Sequence, residues 1–177
     1  MAKEHTNKPN GNEYNGSWVN DKEEGYGVEI WPEGDKYQGN YKNGKKHGKG
    51  KLFFADKAVY EGEFRDNEIN GTGVYVWIDK KRYNGEWKNN KMHGQGTLQW
   101  PDGKVYKGIL ILIIKLSNFP FVGEFKDNRR NGEGIFKWKD GKTYEGEWKD
   151  GKQHGRGKFI TGDGKVTQGV WEKGKRI

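Results

Sequence analysis

The stretch Tyr83–Val105 reads YNGEWKNNKMHGQGTLQWPDGKV, and it returns in varied form 23 residues away in either direction. The copy from Tyr37 reads YQGNYKNGKKHGKGKLFFADKAV, and the copy from Tyr60 reads YEGEFRDNEINGTGVYVWIDKKR. The copy from Tyr144 reads YEGEWKDGKQHGRGKFITGDGKV. A more divergent copy opens at Tyr14, another at Phe121, and a truncated one, TQGVWEKGKRI, at Thr167. Self-similarity at a fixed short period marks a repeat architecture, in which each unit packs only on its neighbours.

Each unit reads as a β-hairpin. Side chains alternate along a strand, so Tyr83, Gly85 and Trp87 share one face while Glu86 points the other way. In the second strand Gly96, Leu98 and Trp100 share a parity, as do Gly73, Tyr75 and Trp77, and Gly134, Phe136 and Trp138. One face therefore carries structural aromatic rows: Tyr14, Trp18, Tyr37, Tyr60, Trp77, Tyr83, Trp87, Trp100, Trp138, Tyr144, Trp148 and Trp171. The other carries Glu, Lys and Thr, the alternation of a half-buried antiparallel sheet. The glycine between the two opening aromatics lacks a Cβ, which lets rings from adjacent strands lie over the backbone. Asn43-Gly44, Asp102-Gly103, Asp140-Gly141, Asp150-Gly151 and Asp163-Gly164 suit the positive φ of tight hairpin turns. The fold expected is all-β: an elongated, single-layer, twisted antiparallel meander of 23-residue hairpin repeats, with about thirteen strands spaced at ~4.8 Å.

The YxGxW opening, the HGxG centre and the DG near the end resemble the MORN repeat (membrane occupation and recognition nexus). The resemblance covers residues 14–177, with repeats starting near 14, 37, 60, 83, 106 or 121, 144 and 167. It implies an elongated all-β domain. It also implies two settings: membrane–cytoskeleton contacts, as in junctophilin-like proteins, and ciliary axonemes, as in radial-spoke-head proteins. The latter carry MORN arrays with little else, and this chain is closer to them in style.

Hydrophobic residues make up 31% of the 177 residues and charged ones 33%, a balance that leans towards disorder. Against it stand 8 Trp, 9 Tyr and 8 Phe at fixed repeat positions, which a stacked array can bury without one central core. There is no Cys, so disulfides and thiolate zinc sites are excluded. Residues 1–13 are polar and read as a flexible lead-in. No apolar run reaches the ~20 residues of a membrane span, and the expected setting is intracellular: cytoplasm or cytoskeleton, a cilium, or the cytoplasmic face of a membrane.

The period slips by fifteen residues between Gly108 and Glu124. Removing 109–123 joins Tyr106-Lys107-Gly108 to Glu124-Phe125 and restores the repeat opening. The irregular insertion, ILILIIKLSNFPFVG, has three readings: a loop or extra strand pair, a membrane-touching or partner-binding hairpin, or an unspliced intron in the gene assignment. The chain either leaves the sheet and returns with Glu124-Phe125 in phase, or reopens the repeat at Phe121, because an odd shift would turn every later aromatic to solvent.

Catalytic patterns are missing. His47, His93 and His154 recur at one repeat position, but His47 and His93 stand about four strand spacings apart, roughly 19 Å, too far to share one ion. The glutamates read as a solvated face, with no pair in apolar surroundings that would tune an acid against a base. The Gly-x-Gly pairs precede no helix and no P-loop lysine. No catalytic residue, cofactor or metal is expected. The loops joining the two strands of each repeat hold most of the net charge of +8, through Lys45, Lys46, Lys49, Lys88, Lys91, Arg129, Arg130, Lys149, Lys152 and Arg156. Such a basic edge suits a protein partner or acidic phospholipids, or it is a solubilising edge that resists strand addition. The favoured expectation is a non-catalytic scaffold. Peripheral binding of phosphoinositides is the alternative, an end-to-end homodimer through open sheet ends is allowed, and nucleic acid is disfavoured because the rings face the packed side.

Overall fold

The computed structural model describes residues 3–102, 105–108 and 123–177. These hold sixteen strands and no helix, and every pairing between them is antiparallel. The chain divides into two units. The first is Met1–Ile78 with Trp87–Asn90. It contains β1 (Lys3–Asn7), β2 (Glu13–Val19), β3 (Lys22–Ile30), β4 (Lys36–Lys42), β5 (Lys45–Phe53), β6 (Val59–Arg65) and β7 (Glu68–Val76), paired in chain order. The second is Asp79–Glu86 with Lys91–Ile177. Its strands are β9 (Lys91–Gln99), β10 (Val105–Gly108), β11 (Gly123–Lys126), β12 (Arg129–Lys137), β13 (Thr143–Lys149), β14 (Lys152–Ile160), β15 (Val166–Glu172) and β16 (Lys175–Arg176). Strand β8 (Arg82–Lys88) contributes residues to both.

The repeat has one local plan. Gly62 faces Gly73 across β6 and β7, and the rings need that gap: a Cβ on either glycine would overlap the Tyr60 ring. Tyr60 is fully buried there, and its hydroxyl donates to the Glu63 carbonyl at 3.0 Å. The ring stands edge-on to Phe64 of its own repeat at 5.2 Å and to Trp87 of the next at 5.5 Å. Tyr37 bridges Tyr41 and Phe64 in the same way, and Tyr144 bridges Trp148 and Trp171. Each such pair adds about 0.5–1.5 kcal/mol beyond its area, so the ladder ties each repeat to the next.

Beyond Gly62 the register shifts, and the extra residues of β7 bulge out around Gly71, held at φ 82°. The freed Thr72 amide donates to the Glu63 carboxylate at 3.0 Å. Glu86 receives Gln95 and Glu147 receives Arg156 likewise. The two glycines of HGxG thus do different work: the first turns the bulge and the second makes room for the tyrosine.

The lead-in differs from the flexible segment expected. β1 pairs with β2, with Glu4 opposite Gly16 and Thr6 opposite Tyr14. That is the register of Gly50 opposite Gly62 and Leu52 opposite Tyr60. Its turn, Lys8 amide to Asn12 carbonyl and Gly11 amide to Lys8 carbonyl, repeats the turn of Trp31 to Asp35. Residues 3–12 are therefore the second half of a further repeat. Backbone pairing to β2 satisfies amides that a free tail would leave to water.

The strand opposite β9 and β12 is laid in two pieces. Tyr106 faces Leu98 on one side and Phe136 on the other. Gly108 and Gly123 both face Gly134, and Phe125 continues opposite Gly94 and Arg130. The ladder leaves after Gly108 and resumes at Gly123 in phase, and the insertion between them lies outside the described residues. The split strand, β1 and β16 raise the count above the thirteen expected.

Candidate partner-binding surface

The turns joining the two strands of each repeat stack into an edge. Each turn is clamped to the one before it. Asn67 donates its amide to the Lys46 carbonyl and accepts the Lys46 amide on Oδ1, at 3.1 and 2.9 Å. Asn90 clamps Ile69, and Asn128 clamps Met92, by the same pair of bonds. The sequence reading missed these asparagines, although their recurrence at one repeat position was a usable signal.

The ten basic residues expected on this edge fall into three groups. Lys45, Lys91 and Arg129 each reach an aspartate of the next repeat, Asp66, Asp127 and Asp150, at 3.9, 3.6 and 3.6 Å. All six partners are at least half exposed, so each pair contributes little stability but lowers the net charge of the edge. Lys46 and Arg130 turn inward. Lys46 lies over the Trp31 ring at 4.4 Å, and Arg130 lies over Trp148 at 4.3 Å while donating to the Gly151 carbonyl. Lys49, Lys88, Lys149, Lys152 and Arg156 remain exposed. Around part of them runs a depression of about 630 Å³, lined by Lys126, Asn131, Lys149 and His154 among others. Among the described residues no His, Asp and Glu cluster could hold a metal ion.

The expectation that no carboxylates lie buried is overturned near the first repeat. Glu23 and Glu29 are 9% and 5% exposed. Glu29 stands where later repeats carry Leu52 and Tyr75. It accepts Lys8 Nζ at 2.6 Å, Asn12 Nδ2 at 2.9 Å and the Tyr41 hydroxyl at 3.0 Å, with Lys46 Nζ at 3.9 Å. Lys8 also meets Glu23 at 2.5 Å. Burial pushes the Glu29 carboxyl up. The hydrogen bonds from Lys8 and Asn12, with the charges of Lys8 and Lys46, outweigh that and hold it below its ordinary value. Burial lowers the Lys8 ammonium, and its two carboxylate partners more than reverse this. Lys46 is lowered, by burial first and against the pull of Glu29. Burial, then Glu23 and Glu29, push Tyr14 up to about 12. Lys8 and Asn12 come from the half-repeat that the sequence reading left as a tail, which is why the cluster was missed.

The aromatic face has two depths. Tyr14, Tyr37, Tyr60, Tyr83 and Tyr144 are fully buried, with Trp87, Trp148 and Trp171 close behind. Trp87 and Trp148 donate Nε1 to the carbonyls of Gly73 and Gly134 at 3.1 and 3.0 Å. Trp18 is half-buried, and its buried Nε1 finds no acceptor. A second set of rings, Trp31, Phe54 and Trp77 in the first unit and Trp100 and Trp138 in the second, is only half-buried, so Trp77, Trp100 and Trp138 are less enclosed than the packed rows expected of them. Glu86 and Lys88 point to solvent.

The MORN repeat profile matches residues 14–36, 37–59, 60–82, 83–105, 121–143 and 144–166. No curated protein matches the chain in sequence. Among solved structures, it is similar to the TCP domain of SAS-4 (dCPAP) from Drosophila melanogaster, in complex with a proline-rich motif of Ana2 (dSTIL). There the identity is 11%, over 95% of this chain and 78% of that one, with a TM-score of 0.49. It is also similar to the TCP10c domain of Drosophila melanogaster Sas-4, at 11% identity over 97% of this chain and 100% of that one, TM-score 0.35. The wild-type TCP10 domain of Danio rerio CPAP follows, at 14% identity over 94% and 72%, TM-score 0.30. At these identities and TM-scores the three carry nothing about function. The six matched units, five of which set a tyrosine over paired glycines (Tyr14, Tyr37, Tyr60, Tyr83 and Tyr144), place the chain in the MORN-repeat family.

Proposed function

We propose that this array is a non-catalytic scaffold that docks a partner protein, in a cytoskeletal or ciliary assembly. The observation that carries the reading is the division of the aromatic face. One set of rings is buried and holds the repeats together, while in each unit a second set, at one repeat position, stays half-exposed. The side chains of the buried carboxylate cluster are already satisfied by one another, as befits a structural group. The ciliary and cytoskeletal setting rests on the resemblance to MORN-only arrays. Affinity purification from the native cell with mass spectrometry tests the reading; a chain that recovers no partner above a Trp77→Ala, Trp138→Ala control removes it.

Acidic phospholipids are the second reading. The exposed residues Lys49, Lys88, Lys149, Lys152 and Arg156 favour it, since each basic residue near an anionic surface is worth ~1 kcal/mol. The paired Lys45, Lys91 and Arg129 and the inward Lys46 and Arg130 weigh against it. Co-sedimentation with phosphoinositide vesicles at two salt concentrations separates the two, because only lipid binding falls with salt and needs no protein partner.

A further inference from the structure

We infer that residues 3–12 form a latch that opens without the rest of the first unit, locked by the Lys8 ammonium between Glu23 and Glu29. Later repeats of that unit hold one another through rings, as Tyr60 holds Phe64 and Trp87. The half-repeat brings no such side chain. By register Thr6 and Lys8 stand where the repeat from Tyr37 places Leu52 and Phe54, and Asn12 stands where it places Ala58. Pro9 is the only apolar side chain between Lys3 and Asn12. A second tie is also missing. Trp87 and Trp148 donate Nε1 to a carbonyl of the preceding repeat, whereas Trp18, the ring at the same place beside β1, finds no acceptor. The main ties left are the backbone ladder to β2 and the polar contacts of Lys8 and Asn12.

The geometry lets this lock part cleanly. Glu29 divides its carboxylate between the two sides. Its Oε1 accepts Lys8 Nζ at 2.6 Å and Asn12 Nδ2 at 2.9 Å, both from the half-repeat. Its Oε2 accepts the Tyr41 hydroxyl of β4 at 3.0 Å and lies 3.9 Å from Lys46 Nζ of β5, both from the array. Lys8 also meets Glu23 of β3 at 2.5 Å and lies over the Tyr14 ring of β2 at 5.3 Å. When the latch leaves, Glu29 keeps Tyr41 and Lys46, and water takes the place of Lys8 at Oε1 and at Glu23. No carboxylate is then stranded dry, which is the costly outcome when a pair is broken inside a closed core. A segment with few apolar contacts opens at the low end of a protein's local stabilities. Opening bares the β2 backbone opposite residues 3–7, an edge able to add a strand, so Lys8 decides whether that edge is covered.

The chain has no cysteine, so a single introduced one reports opening by its rate of reaction with a maleimide. Thr6→Cys places it in the latch, and Leu52→Cys places it at the same register position inside the array. Each rate is taken on the full chain, relative to the same segment as a free peptide. At neutral pH the Thr6→Cys chain is expected to react at least about tenfold faster than the Leu52→Cys chain. Adding Lys8→Gln should speed the first about tenfold again, while the second and the thermal midpoint stay unmoved. Lys8→Arg, which keeps the charge, should restore most of the protection. Comparable rates at the two positions overturn the inference, because residues 3–12 and the array then open as one. So does a Lys8→Gln change that speeds both positions together or unfolds the chain. A Lys8→Gln change that moves neither rate overturns it as well, because Lys8 is then not the lock.

Discussion

At the scale of single residues, the same residue type is worth different amounts in different repeats. Trp87 is 6% exposed and donates to the Gly73 carbonyl, whereas the Nε1 of Trp18 is buried without an acceptor. Trp87→Phe is expected to cost about 1 kcal/mol more than Trp18→Phe, since the first loses a made bond and the second removes an unmade one. Trp87→Ala should cost ~3 kcal/mol or more through the cavity it leaves. Urea denaturation of the three variants checks both, and an unmoved midpoint for Trp87→Ala would contradict the buried ladder. Glu29 titrates below its ordinary value in the folded chain, so its contribution is full above the unfolded pKa of about 4.3 and is lost as pH falls through the lower folded value. Glu29→Gln should destabilise by about 3 kcal/mol at pH 7, because Lys46 then lies half-buried beside a neutral group and Lys8 keeps only Glu23. The gap to the unaltered chain should close below about pH 4, as the unaltered carboxyl protonates too. A gap that stays constant from pH 7 to pH 3 would mean that the ionised form contributes nothing.

At the scale of the strand, the split between β10 and β11 decides what the insertion can be. Gly108 and Gly123 hold one register place against Gly134, so the two glycines are alternatives for a single position. Deleting 109–123 joins Gly108 to Glu124 and leaves one of them. The shortened chain is expected to keep its strand signal in circular dichroism and its thermal midpoint within a few degrees. It should also be more soluble, with a β-prone apolar run removed. Loss of the folded signal would show that residues outside the ladder hold the fold. The half-repeat at β1 follows the same logic. Asn10-Gly11 stands three residues before Tyr14, as Asp140-Gly141 stands before Tyr144, so its turn was legible; composition alone made it look like a tail.

At the scale of the whole chain, a net charge of +8 overstates the basic surface. Three of the ten edge residues are paired with the next repeat, and two lie on aromatic rings. Phosphatidylserine vesicles are therefore expected to retain the chain at low ionic strength and to release it near physiological salt, where screening reaches about 8 Å. Replacing Lys88, Lys149 and Lys152 with Gln should abolish the low-salt retention without moving the thermal midpoint, while Lys46→Gln and Arg130→Gln should lower the midpoint instead. Retention that persists near physiological salt and still falls at higher salt would favour the lipid reading. The sequence by itself determined the all-β antiparallel meander and its 23-residue hairpin period. It could do so because each strand pairs with its sequence neighbour, and alternation with a 23-residue period then settles which face every ring occupies. Only the tertiary structure decided which glycine turns the bulge and which makes room for the tyrosine, and which lysines are spent inside. It alone showed that Lys8 and Asn12 close a buried site around Glu29. Those outcomes depend on side chains meeting across strands about twenty residues apart, where bond lengths and burial choose among partners that a residue pattern leaves equal.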